Sequence, residues 1–71
     1  MSTEDIGHLG DLVDSLSHRS HTIKVYQRAA RSFCYACFDQ NGKHVGGGTE
    51  ILFTRENAIK QAKNFIDGIA N

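Results

Sequence analysis

The side chains of this 71-residue chain that could do chemistry are concentrated in one short stretch, RSFCYACF, at residues 31–38. Cys34 and Cys37 have the C-x-x-C spacing that is common in redox and metal sites. Residues three apart on a β-strand point to opposite faces, so two such thiols neither share a metal ion nor close a disulfide. We therefore predict a core thiol for Cys34, a surface thiol for Cys37, and neither metal nor cofactor. Zinc on Cys37 and His44 would need further ligands that the sequence does not place.

Residues of the kind that form catalytic sites do not make a recognisable set in this sequence. We find no paired carboxylates, no nucleophile with a neighbouring base, and no phosphate loop, since GKHVGGG at residues 42–48 lacks both the Walker spacing and a following helix. The four histidines have no partner four residues away on a securely predicted helix. We expect no catalytic residues and no enzymatic activity.

The same stretch also alternates aromatic with small residues behind a cation. Its order resembles the RNA-recognition signature, with serine in place of the glycine, at Arg31, Ser32, Phe33, Cys34, Tyr35 and Phe38. That fold places two helices among its four strands, and no helix is predicted here between the first two strands. The likeness is therefore expected to extend to aromatic and basic chemistry but not to the fold.

The composition describes one small domain with an uneven charge. All eight Lys and Arg fall in residues 18–71, whereas residues 1–17 carry four of the eight Asp and Glu, for zero net charge overall. An acidic arm on a basic body indicates a nucleic-acid or acidic partner. Two cysteines cannot build a disulfide framework, and no apolar run approaches the roughly 20 residues that cross a bilayer. With no signal-peptide pattern, we expect a cytoplasmic protein without a membrane partner.

The N-terminal segment is predicted to be helical. Apolar residues recur there at helical spacing, at Ile6, Leu9, Leu12, Val13 and Leu16. Thr3 could cap such a helix, and the acidic residues that follow would sit at the positive end of its dipole. Residues 1–21 are thus predicted to form an acidic arm with a short amphipathic helix, docked on its own domain or on a second copy.

The remaining segments predict three strands and a helix. TIKVYQR at residues 22–28 alternates with period two, RAAR at 28–31 is the predicted turn before SFCYACFD, and Asn41-Gly42 predicts a two-residue hairpin turn before KHVGG. Thr54 as N-cap and an apolar stripe from Ala58 to Ile69 predict a C-terminal helix. The predicted fold class is α+β: a three-stranded antiparallel β-meander packed on a C-terminal helix, over residues 22–71.

A two-residue turn also predicts which face each side chain occupies. It places Phe38 opposite Val45, so that Phe38, Ala36 and Cys34 would join Ile23 and Val25 under the helix. The other face would then carry the partner-binding residues, together with nearby turn cations: Lys24, Tyr26, Arg28, Arg31, Phe33, Tyr35, Lys43 and His44. Alternatively, the N-terminal helix covers that face and its aromatics are core. A register slip of one residue would exchange the two faces.

Two stretches, FCYACFDQNGKHVGGG and TRENAIKQAKNFIDG, resemble the amino-terminal arm-binding domain of phage lambda integrase and its AP2-like relatives. The resemblance covers residues 22–68. It implies three antiparallel strands closed by a helix, with the exposed sheet face inserted into the DNA major groove through the same eight residues. The chain departs from that family in its neutral overall charge and in its acidic arm. Small bacterial domains with the same order of strands and helix resemble it equally.

The leading expectation is a small non-enzymatic binding module whose sheet face contacts nucleic acid, with DNA favoured. The alternative is a protein-interaction domain, such as a small regulator or a phage-type inhibitor, in monomeric or homodimeric form. A third and more distant interpretation is a metal or redox protein that uses the two cysteines.

Overall fold

The computed structural model describes residues 10–47 and 51–70 as a small α+β fold. Four antiparallel strands form one sheet in the order β1-β2-β3-β4, and a single described helix, α1, packs on one of its faces. The elements are β1 Asp11–His18, β2 His21–Ala29, β3 Ser32–Phe38, β4 His44–Gly47 and α1 Arg55–Ala70. The predicted fold class and the C-terminal helix are confirmed, but the described sheet has four strands and not three. Within the described residues, no helix is long and apolar enough to cross a membrane.

The extra strand is β1, which covers part of the segment that was predicted to be helical. The helical prediction is wrong for residues 11–18, and its earlier part, residues 3–9, lies outside the described residues. A β-bulge between Leu12 and Asp14 explains the error. The bulge adds one residue to the strand, so Val13 and Leu16, three positions apart, both pack toward α1. Their spacing imitates a helical stripe, while Leu12 stays 54% exposed.

The turn between β1 and β2 joins them into one tight hairpin. Arg19 and Ser20 have φ angles of 52° and 67°, and His18 pairs with His21. Two consecutive residues with positive φ form the two-residue turn that matches the twist of the flanking strands. The domain boundary predicted after residue 21 therefore falls at the start of β2, inside this hairpin.

The hairpin between β3 and β4 turns at the predicted Asn41-Gly42, but its loop is one residue longer than expected. The Gly42 N–H donates to the Asp39 carbonyl, the Asp39 N–H donates to the Lys43 carbonyl, and Gly42 has a φ of 85°. A turn followed by a left-handed glycine is the usual three-residue hairpin loop. The Asp39 carboxylate accepts the N–H groups of Lys43 and Asn41, which hold the pKa of this side chain below its usual value.

The longer loop shifts the β3–β4 register, and a bulge at Arg28 in β2 shifts the β2–β3 register, which overturns the predicted assignment of faces. Phe38 pairs with His44 and not with Val45. Across the other edge of β3, Val25 pairs with Tyr35, and Ile23 pairs with Cys37. Since directly paired residues share a face, the odd-numbered β3 residues face α1. Cys34, Ala36 and Phe38, which were predicted to lie under the helix, are on the opposite face, hereafter the second face.

The core lies between α1 and the sheet face that packs against it, the first face. Thr54 caps the helix as predicted, since its side-chain oxygen accepts the Asn57 N–H at 3.0 Å. One turn apart along α1, Ala58, Ala62 and Ile66 are fully buried. The two alanines leave room for the larger sheet residues, and the buried members of this core on the sheet are Ile23, Val25, Tyr35 and Cys37.

Candidate functional site

The second face can be assigned residue by residue from the strand register. Leu12, Ser15 and Ser17 of β1 pair with Tyr26, Lys24 and Thr22 of β2. These in turn pair with Cys34, Ala36 and Phe38 of β3, and Phe38 pairs with His44 of β4. None of these paired residues is acidic, whereas two of them, Lys24 and His44, are basic.

Three of these side chains form a compact group, the Lys24–Phe38–His44 cluster. The Lys24 Nζ lies 5.2 Å from the centroid of the Phe38 ring, within the range of a cation–π contact. The Phe38 and His44 ring centroids are 5.4 Å apart, and the ring planes are tilted by 57°, an arrangement that aromatic pairs favour. Lys24 and Phe38 are half-buried and His44 is exposed. The group therefore presents a positive charge beside two rings at the surface.

The middle of the second face is buried. Tyr26, Cys34 and Ala36 are only 7%, 2% and 3% exposed. Burial raises the pKa of Tyr26, and so does the charge of the Cys34 thiolate. Burial also raises the pKa of Cys34, against an opposing effect of the nearby Arg28 guanidinium. Tyr26 thus contributes packing and not an open ring, while the exposed Arg28 supplies a positive charge beside Cys34.

The eight predicted partner-binding residues do not all lie on one face. Lys24, Tyr26 and His44 are on the second face, with Arg28 beside it at a bulge in β2. Arg31 and Lys43 are exposed in the β2–β3 and β3–β4 loops.

Two aromatic residues of the predicted set lie on the side of α1. Tyr35 is buried in the core, and Phe33 packs against that core. Their predicted place on an exposed platform is wrong, because the bulge at Arg28 shifts the β2–β3 register and turns the odd-numbered β3 residues toward α1. The same reversal brings Phe38 to the second face, where sequence reasoning did not expect it. The signal for the longer β3–β4 loop was Asp39 three residues before Gly42, a spacing that suits a three-residue loop.

The two cysteines lie on opposite faces, as predicted from their spacing, since Cys37 belongs to the core under α1 and Cys34 to the second face. Both are buried and neither is in a disulfide, so the prediction of a surface thiol at Cys37 is wrong. The Cys37 Sγ lies 3.9 Å from the Ala62 carbonyl oxygen, and burial raises the pKa of this thiol to about 11. In the described ranges, no three His, Cys, Asp or Glu side chains gather as metal ligands would.

A second polar group, which the sequence analysis did not identify, joins the β1–β2 turn to α1. The Asp67 carboxylate accepts from His18 Nε2 at 2.8 Å and from Arg19 Nε at 3.1 Å. Asp67 also lines an open groove of about 410 Å³ along α1, whose lining contains both acidic and basic side chains, including Lys60 and Lys63. Because these side chains are partly exposed, the ion pairs stabilise the fold by at most about 1 kcal/mol.

No family model matches the chain, and no curated protein or solved structure is detectably similar to it. The resemblance to the integrase arm-binding domain therefore stays a prediction.

Proposed function

We propose that the protein is a small non-enzymatic binding module whose second face contacts nucleic acid. The observation that carries this proposal is the Lys24–Phe38–His44 cluster, which combines a cation with two rings on a face whose paired strand residues include no carboxylate. Cations that meet phosphates and rings that stack on bases are two of the contacts that proteins commonly make with nucleic acids.

The charges around the second face support this choice of ligand. Arg28 is exposed beside Cys34, and Lys43 is exposed in the loop next to His44. One carboxylate, Asp39, lies in the same loop as Lys43, whereas two, Glu56 and Asp67, lie among the lysines on the outer surface of α1. An anionic chain would therefore be attracted more strongly to the second face than to the helix. The same cations disfavour a homodimer in which two second faces meet.

DNA is the nucleic acid that we favour, because it is the ligand that the resemblance to the integrase arm-binding domain implies. Phe33 and Tyr35 leave the proposed contact set, since they pack on the side of α1. Phe38 takes their place, and Lys24, Arg28, Lys43 and His44 remain in the set. The cytoplasmic location and the lack of a cofactor stay predictions.

The experiment is a titration of fluorescently labelled DNA, followed by anisotropy at about 50 and 200 mM salt. Affinity should fall steeply between these concentrations, because bound cations replace the counterions of phosphates. Arg28→Ala should weaken binding about equally for all sequences. Lys60→Ala is the matched control, since it removes the same charge from an exposed position on α1 and should leave affinity almost unchanged. Absence of binding at low salt, or equal losses from both variants, would contradict the proposal.

A protein partner is the second candidate function, and a specific observation favours it. Ile51 and Phe53, two residues apart just before α1, are 57% and 71% exposed, and neighbouring exposed large apolar side chains can mark an interaction surface. This partner could be a regulated protein or a second copy of the chain. Sedimentation equilibrium would detect the second copy, and Phe53→Ser should then shift the protein toward the monomer.

A further inference from the structure

We infer that the second face takes single-stranded nucleic acid in preference to a duplex. This inference rests on the proposed function and names the ligand class of the same site. It follows from three features of the second face: the accessibility of its rings, the lengths of its side chains, and the positions of its cations.

The rings of the Lys24–Phe38–His44 cluster suit an unpaired base. His44 is exposed and meets the Phe38 ring at a tilt of 57°, so a flat group can lie against the imidazole while Phe38 supports it from the sheet. A base offers its flat face only when it is unstacked and unpaired, as in a single strand. In a duplex, that face is hidden between neighbouring base pairs, and the rings would have nothing to stack on.

The other side chains of the second face are poorly suited to reading a duplex. Bases in the major groove are read by long polar side chains, chiefly Arg, Lys, Asn and Gln. The strand pairs that define this face contain no Asn or Gln, and many of its members are short: Ser15, Ser17, Thr22, Cys34 and Ala36. Lys24 is long enough, but its ammonium group lies over the Phe38 ring. The paired strand positions of this face therefore offer little that reaches the edges of paired bases, and Arg28 lies beside the face and not on it.

The cations lie where the phosphates of a short strand could meet them. Lys24 and Arg28 are four residues apart on β2, which corresponds to about 13 Å along a strand. Lys43 precedes His44 in the adjacent hairpin loop and is exposed. Positive charges thus lie along β2 beside the rings, so one stacked base would have a neighbouring phosphate close to Lys24.

The experiment compares a labelled oligothymidylate of about eight nucleotides with a DNA hairpin duplex that has the same number of phosphates, at low salt. We expect the single strand to bind at least about tenfold more tightly. His44→Ala should weaken single-strand binding by at least about fivefold, in line with the loss of one stacked base. His44→Phe should restore most of the affinity, because it keeps a ring without the imidazole nitrogens. Lys60→Ala again serves as the control.

The outcomes separate this inference from the proposal on which it rests. Equal or tighter binding of the duplex would overturn the preference for single strands and leave the nucleic-acid function standing. Failure of both ligands to bind at low salt would overturn both. If His44→Phe binds as poorly as His44→Ala, stacking is not the source of the affinity, and the inference is wrong even where the single strand binds more tightly.

Discussion

Replacement of Ile66 by alanine tests whether α1 closes the core through its buried stripe. Ile66 is fully buried, while Ile69, one turn further along the helix, is 50% exposed. Truncation removes three carbon atoms, worth about 0.8 kcal/mol each when buried, or about 2.4 kcal/mol of transfer free energy. The cavity left behind raises the expected loss at Ile66 to about 2–5 kcal/mol. At Ile69, half the transfer term and a helix-propensity gain of roughly 0.4 kcal/mol leave a loss of about 0.8 kcal/mol.

Urea unfolding, followed by circular dichroism at 222 nm, measures both losses. A domain of this length has a free energy of unfolding of about 4–10 kcal/mol, so Ile66→Ala could be largely unfolded without urea. Ile66→Val, with an expected loss of about 0.5–1.5 kcal/mol, keeps the measurement within range. Similar losses from Ile66→Ala and Ile69→Ala would refute the packing described for α1, as would a loss below about 1 kcal/mol at Ile66.

Two further predictions follow from the packing of individual residues. Gly46→Ala should destabilise the protein by about 1–3 kcal/mol, because a Cβ there would overlap the Phe65 ring. Gly68→Ala should stabilise it by roughly 0.5–1 kcal/mol, because Gly68 lies on α1 with open space around it. Thermal melts check this, since the two variants should shift the melting temperature in opposite directions. The Cys37 thiol, with a pKa raised by burial to about 11 from 9.0, keeps its stabilising neutral form in the folded state, so stability should fall as the pH rises from 9 to 11. Cys37→Ala should remove that part of the pH dependence. In a thiol titration of the native protein at pH 8, both cysteines should react slowly, since burial raises the pKa of Cys34 as well. A fast reaction of either thiol in the native state would contradict this.

The sequence by itself determined the elements whose signals are local. The helix α1 could be predicted because its cap at Thr54 and its apolar stripe lie within one continuous segment. The strands β2 and β3 follow from their alternation, and the position of the last hairpin follows from Asn41-Gly42. The opposite faces of Cys34 and Cys37 could also be predicted, because they depend only on the two-residue period of a strand.

The tertiary structure alone decided which face of the sheet met the helix and which was left to bind a partner. One additional residue in β2, the bulge at Arg28, reversed the faces of β3 relative to β2, because a strand's side chains alternate and a shift by one exchanges them all. That shift buried Tyr35 under α1 and brought Phe38 beside Lys24. At the other edge of the sheet, the bulge at Val13 gave a strand an apolar spacing that a single sequence cannot distinguish from a helix. Pairing with β2 resolved that ambiguity, because a strand is stabilised by hydrogen bonds to a neighbouring strand, whereas a helix is stabilised by hydrogen bonds within its own segment.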